Sequence, residues 1–179
     1  MFVGKFPINA AKPNNKEKPS MPERLEHSPS IPVFLVADSY QEAADLIYSE
    51  SLKKNSGDLA WVACINATLA VEIYLKSFLA RNVLTKTESE MNLITQETAK
   101  GHDLLTLYKR IDPQVRSTMT ITSQDLDPEI KIEKIITHCK DYFFLARYSY
   151  ELSSRQCLNS EIIVLAQHMK KLVRKIKRD

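Results

Sequence analysis

The sequence predicts an all-α, up-and-down bundle of four to five helices, and three observations lead there. First, helix breakers are rare over most of the chain. Six of the eight prolines (Pro7, Pro13, Pro19, Pro22, Pro29, Pro32) fall in the first 32 residues, the rest of the chain holds only Pro113 and Pro128, and the three glycines are Gly4, Gly57 and Gly101. Sheets need frequent turns, and those turns favour Gly, Asn and Asp. Second, hydrophobic residues make up 44% and charged residues 26% of 179, a balance that argues against collagen-like, coiled-coil and wholly disordered chains. Third, apolar residues recur at three- and four-residue spacing in several segments. The length suits one domain and a tail. Residues 1–32 read as a flexible Pro-rich arm with too few apolar side chains to offset ordering entropy, and residues 33–179 as the helical domain.

The elements follow in order. Ile31 to Val36 is a short apolar entry segment, extended or packed on the bundle. The first helix is expected from Ser39, where Ser39-Tyr40-Gln41-Glu42 has the S-x-x-E form of a capping box. Tyr40, Ala43, Ala44, Ile47 and Ser51 then line one face, and the helix ends near Asn55-Ser56-Gly57. Asp58 can cap a second helix reaching about Asn82. Its apolar residues (Trp61, Ile65, Leu69, Val71, Ile73, Leu75, Leu79) extend around much of the circumference, which marks a central helix. Residues 83–102 are polar and read as a binding loop or a short extra helix. His102-Asp103 opens a short helix with Leu104, Leu107, Tyr108 and Ile111 on one face, limited by Pro113, with a brief turn to Thr120. Thr122 to Pro128 reads as a loop. A helix from Glu129 to Ala146 places Ile132, Ile135, Ile136, Cys139, Tyr142 and Phe143 inward. The last helix, Ser160 to Lys177, does the same with Ile162, Leu165, Ala166, Met169, Leu172, Val173 and Ile176.

Charge is uneven. Residues 1–32 carry a net +2, residues 33–169 a net −4 and the last ten a net +5. A broad nucleic-acid-binding face on the core is therefore not expected, although a local one is allowed. Cys64, Cys139 and Cys157 never form a C-x-x-C pair and read as reduced, mostly buried thiols. His138 beside Cys139 lacks a second ligand pair, so no metal site and no cofactor are expected. No apolar leader is visible near Met1, and the Leu59–Leu75 stretch, interrupted by Asn66, Thr68 and Glu72, reads as a bundle helix and not a membrane span. The expectation is a cytoplasmic protein without a membrane partner.

Four elements carry candidate chemistry. In Leu69-Ala70-Val71-Glu72-Ile73-Tyr74-Leu75-Lys76, Glu72 stands seven residues from both Ile65 and Leu79, in the middle of an inward stripe. A carboxylate there costs several kcal/mol of desolvation unless paired, and Lys76 follows at the favourable i+4 position. In Gly101-His102-Asp103-Leu104, Asp103 can cap the helix and His102 sits at its mouth, placed to bind an anion or to act as a general base. In Tyr142 to Glu151, five aromatics surround Arg147. Arg147 can engage phosphate bidentately while Tyr148 or Tyr150 stacks on a base; alternatively the phenylalanines are core and Arg147 pairs with Glu72 or Glu151. The basic ending Lys170 to Arg178 complements the dipole of the last helix or contacts nucleic acid.

A helical chain with L-A-x-E-x-x-L-K, then G-H-D-L, then A-R-Y-x-Y-E resembles the HEPN superfamily. It is similar to bacterial HEPN-like proteins whose third motif reads R-Y-P-Y-E, with Ser149 here in place of the proline. The resemblance covers about residues 39–177 and rests on Glu72, Lys76, His102, Asp103, Leu104, Arg147, Tyr148, Tyr150 and Glu151. It implies nucleotide or RNA binding, or RNA cleavage, in prokaryotic defence or toxin–antitoxin modules, and a homodimer with the site at its interface. Ribonuclease members carry R-x4–6-H near the last helices, and no arginine stands at that offset before His27, His102, His138 or His168. The expectation is therefore a non-catalytic binding module, with Glu72, Lys76, His102, Arg147, Tyr148, Tyr150 and Glu151 as ligand-binding residues. Its partners would be RNA or a nucleotide, and an antitoxin or other protein. The alternatives are an atypical metal-independent ribonuclease using His102 as base and Arg147 on the phosphate, and a dimeric scaffold in which the polar motifs fix helix register.

Overall fold

A computed structural model of the chain describes residues 29–86, 92–147 and 159–178. The predicted arm lies outside these up to residue 28. Within them the chain forms an all-α bundle with one small hairpin added: α1 (Ile31–Lys54), α2 (Gly57–Ser77), β1 (Arg81–Lys86), β2 (Asn92–Glu97), α3 (Leu104–Arg110), α4 (Pro113–Leu126), α5 (Ile132–Cys139), α6 (Tyr142–Arg147) and α7 (Glu161–Arg178). The seven helical segments exceed the four to five expected because two of the predicted stretches are differently divided.

Helix α1 starts eight residues before the predicted Ser39. Ser30 is its extended N-cap and Pro32 occupies the first turn, where a missing N–H costs nothing because that donor has no intrahelical acceptor. The Ser30 amide donates to the Ser77 carbonyl (2.9 Å), and Pro29 and Phe34 are buried, so the arm's predicted boundary at residue 32 falls inside the folded body. Ser39 is mid-helix and its hydroxyl donates back to the Leu35 carbonyl, so the capping box is not used. The inward stripe of α1 is Phe34, Ala37, Asp38, Gln41, Ala44 and Ser51, more polar than expected, while Tyr40 is exposed. The helix ends as predicted, at Asn55 in the left-handed conformation (φ 49°).

A two-residue turn folds α2 back along α1. Ser56, and not Asp58, caps it by accepting from the Leu59 amide. The alanines Ala63, Ala67 and Ala70 are fully buried and allow close approach, and α2 packs against α1, α3, α6 and α7. This is the central helix the sequence predicts. It is also the one helix among the described residues long and apolar enough to cross a membrane by length and composition; here its apolar sides are covered by other helices.

Helix α2 stops at Ser77, five residues early, and the polar connection is neither loop nor helix but an antiparallel hairpin pairing Arg81 with Glu97 through Lys86 with Asn92. Val83-Leu84-Thr85 and Leu93-Ile94-Thr95 supply residues suited to a pleated surface. Asp103 caps α3 by accepting from the Thr106 amide, and Leu104, Leu107, Tyr108 and Ile111 are all buried. Pro113, expected to limit a helix, begins α4, with Asp112 accepting from the Gln114 amide at 2.8 Å. Helix α4 runs through much of the predicted Thr122–Pro128 loop because Thr122 and Ser123 are buried against α7. The expected helix from Glu129 to Ala146 is broken at Lys140-Asp141 into α5 and α6. Helix α7 buries Ile162, Leu165, Ala166, Met169, Leu172 and Val173, as its periodicity predicts.

Candidate functional site

Glu72 sits on the side of α2 facing α3 and α6, and its side chain is only 5% exposed. A carboxylate that dry must be paired, and two groups pair with it. Lys76, one turn on, brings its Nζ to 2.7 Å from Oε1. His102, thirty residues away in sequence, places Nδ1 at 3.0 Å from Oε1 and 3.1 Å from Oε2. The His102 ring lies flat on Phe143 of α6, with centroids 4.0 Å apart and planes 7° from parallel. Gly101 enters this position with φ +108°, a conformation that only glycine adopts readily.

The electrostatics follow from the pairing. With Nδ1–H donating to the carboxylate, the neutral imidazole keeps its lone pair on Nε2, and the carboxylate stabilises an imidazolium should one form. Phe143 covers one face of the ring, yet 43% of the His102 side chain remains exposed. A buried, oriented carboxylate thus carries a half-exposed imidazole and a mostly buried ammonium. This arrangement can hold an anion or accept a proton. Among the described residues no cluster of three or more His, Cys, Asp or Glu side chains is able to hold a metal ion.

The structure brings Glu72, Lys76 and His102 together, as the motifs suggested. Arg147 is the last residue of α6, four positions beyond Phe143; its side chain, and Tyr148, Tyr150 and Glu151 entirely, lie outside the described residues. Glu72 already has two partners in Lys76 and His102. Phe143 was read only as an inward aromatic, and its role as the platform under His102 left no separate signal in the sequence.

The basic ending is partly neutralised within the chain. Arg174 donates to Asp38 Oδ2 at 2.6 Å, Lys170 reaches Glu42 at 2.9 Å and Gln41 at 3.0 Å, and Lys175 stands 3.5 Å from Asp125. Asp38 also accepts from the hydroxyl of Tyr74 at 2.6 Å. Burial first, and then the neighbouring Asp38 carboxylate, push the Tyr74 phenol well above its usual range, so it remains a donor.

A third polar contact, between α4 and α7, also escaped the sequence reading. Ser123 Oγ and His168 Nε2 are 2.7 Å apart and both residues are buried. Burial holds the His168 imidazole below its ordinary value. Cys64 and Cys139 are buried and free; burial raises both thiols, Cys139 to about 11, which keeps them protonated and unreactive. Cys157 lies outside the described residues.

No protein-family model, curated protein or solved structure matches this chain.

Proposed function

We propose that the chain is a HEPN-like helical binding module whose Glu72–Lys76–His102 site receives a phosphate of a nucleotide or RNA. One observation carries this reading. Residues from two separate motifs, LAxExxLK and GHDL, meet at one buried carboxylate, on the helix that ends with the arginine of the third motif. Phosphate recognition needs oriented N–H donors. Lys76 and His102 supply them from fixed positions, and Arg147 is the third member this reading requires. The same resemblance motivates a homodimer in a prokaryotic defence or toxin–antitoxin setting, with an antitoxin or other protein as partner.

The test is thermal unfolding at low salt with added nucleotide, for the wild type and for His102→Ala. Ligand at about a hundred times its dissociation constant stabilises by about 2.7 kcal/mol, or roughly 5–10 °C for a chain of this size. The wild type should show this shift and His102→Ala should lose most of it. No shift for the wild type at any nucleotide concentration refutes the reading.

The Nδ1 contact favours a second reading, an atypical ribonuclease. A carboxylate that fixes the tautomer leaves Nε2 as a base for a ribose 2′-hydroxyl, whose oxygen then bonds to phosphorus as the 5′-oxygen leaves. Labelled RNA incubated with the wild type and with His102→Ala separates the two. Cleavage lost in the variant supports catalysis, and equal degradation by both points to a contaminant.

A further inference from the structure

Beside this site lies an open cleft of about 1020 Å³ between the base of the hairpin and the α3–α4 turn. It carries four cations, Arg81, Lys100, Lys109 and Arg110, against two carboxylates, Glu97 and Asp112. Asp112 is engaged in capping α4. None of the four cations makes an ion pair among the described residues, and Arg110 donates only to the Lys100 carbonyl, at 3.0 Å. Positive side chains crowding a concave wall without partners repel one another, and an anionic ligand relieves that repulsion.

The cleft is joined to the candidate site through the chain. Lys100 is two residues before His102, and Phe78, which lines the cleft, is two residues after Lys76. Its volume lies at the top of the range of about 300–1,000 Å³ typical of small-molecule sites, more than one nucleotide needs. The one aromatic side chain lining it, Phe78, is 6% exposed, so bases have no stacking platform there, and the apolar residues Ile111 and Val115 are likewise buried. What the cleft offers a ligand is charge along a track.

From this we propose that the cleft binds the sugar–phosphate backbone of single-stranded RNA, without base preference, and leads one end of the strand to His102. The inference rests on the reading of His102 as a phosphate site and names its substrate class: an oligomer and not a mononucleotide.

Fluorescence anisotropy with labelled uridine oligomers of one, three and six nucleotides tests it across a range of salt concentrations. Four phosphate contacts on a single strand give a slope of log K against log salt of about −2.8. The variant Lys109→Gln/Arg110→Gln, in which two contacts are lost, should show about half that slope and bind the hexamer about 25-fold more weakly near 0.1 M salt. Its response to mononucleotide should be unchanged. Affinity that does not rise with oligomer length in the wild type overturns the cleft proposal while leaving the mononucleotide site standing. Hexamer binding with the predicted slope but no mononucleotide response supports the cleft and counts against the His102 reading. An acidic poly-glutamate peptide that binds as tightly as the hexamer, with the same loss in the variant, also overturns the proposal, because the cleft would then recognise charge on a peptide.

Discussion

Replacing Glu72 with leucine should destabilise the protein strongly, and replacing Lys76 as well should restore most of the loss. The Lys76 side chain is 14% exposed and its ammonium stands 2.7 Å from Glu72. Glu72→Leu keeps the volume but strands that ammonium in a site where water reaches it poorly. Breaking a buried pair from one side costs about 3–5 kcal/mol. Because the lysine stem is long enough to reach toward solvent, the lower end of that range is expected. For a chain of this length the loss lowers the unfolding midpoint by roughly 6–12 °C. In Glu72→Leu/Lys76→Met neither charge remains to be desolvated, and apolar replacement of a whole buried pair is often close to neutral. The double variant should therefore lie within about 1 kcal/mol of the wild type. Urea unfolding measures all four corners of the cycle, with an unchanged denaturant slope showing that the shifts are in stability. A single-variant cost below about 1 kcal/mol, the value for a solvated pair, would refute the reasoning. So would a double variant no better than Glu72→Leu.

Other consequences are separately measurable. Burial depresses His168, with Lys171 adding and Asp127 opposing, so the unfolded chain takes up a proton first, near its ordinary value of about 6.5. Stability from this group is complete above that value and falls as pH drops through it toward the lower folded value; His168→Gln, which cannot titrate, should lose less stability than the wild type between pH 7.5 and 5 in thermal scans. Asp38 is 7% exposed at its side chain and accepts from both Tyr74 and Arg174, whereas Arg174 is 47% exposed. Asp38→Ala should therefore cost about 3 kcal/mol or more, since hydrogen bonds to charged groups contribute about 1.5–3 kcal/mol each, and Arg174→Ala clearly less, as read by urea midpoints. Gly101→Ala meets no atom within 4 Å, so its cost is backbone strain alone at φ +108°, about 1–3 kcal/mol. It should also weaken the nucleotide-induced thermal shift, because the next residue is His102.

The parts of the fold that were legible are those in which one physical rule acts alone. Leu104, Leu107, Tyr108 and Ile111 sit at helical spacing and are buried; α7 follows the same rule. Glu72 was legible for an energetic reason: a carboxylate within an apolar stripe needs a partner, wherever that partner comes from. Failures occurred where two rules compete. Pro32 counts as a breaker in an arm but fits the first turn of a helix. Thr118 and Thr120 favour loops by composition, yet each donates to the carbonyl four residues back within α4, and Ser123 is buried because His168 on α7 accepts or donates across the gap. Such a long-range partner leaves no local trace. Asp38 was overlooked because Ser39 beside it offered a plausible cap, and the hairpin because its strands are only six residues long.

The placement of the polar contacts explains how a half-exposed histidine can be held still. Residues 72 and 74 are two apart on α2, about 200° around the helix axis, so their side chains leave on nearly opposite sides. Tyr74 reaches Asp38 of α1, which in turn holds Arg174 of α7. Glu72 reaches His102 at the mouth of α3, whose ring rests on Phe143 of α6. The central helix is thereby fixed in rotation from both sides, and a slip of either contact would leave a buried oxygen unpaired. The Tyr74 phenol stays protonated because burial and Asp38 raise it, so that tether keeps its direction of donation throughout the neutral range. Anchored in this way, α2 gives His102 a carboxylate that does not move, and the freedom left to the imidazole is confined to its exposed edge. A ligand arriving there meets a donor already oriented, which reduces the ordering cost of binding.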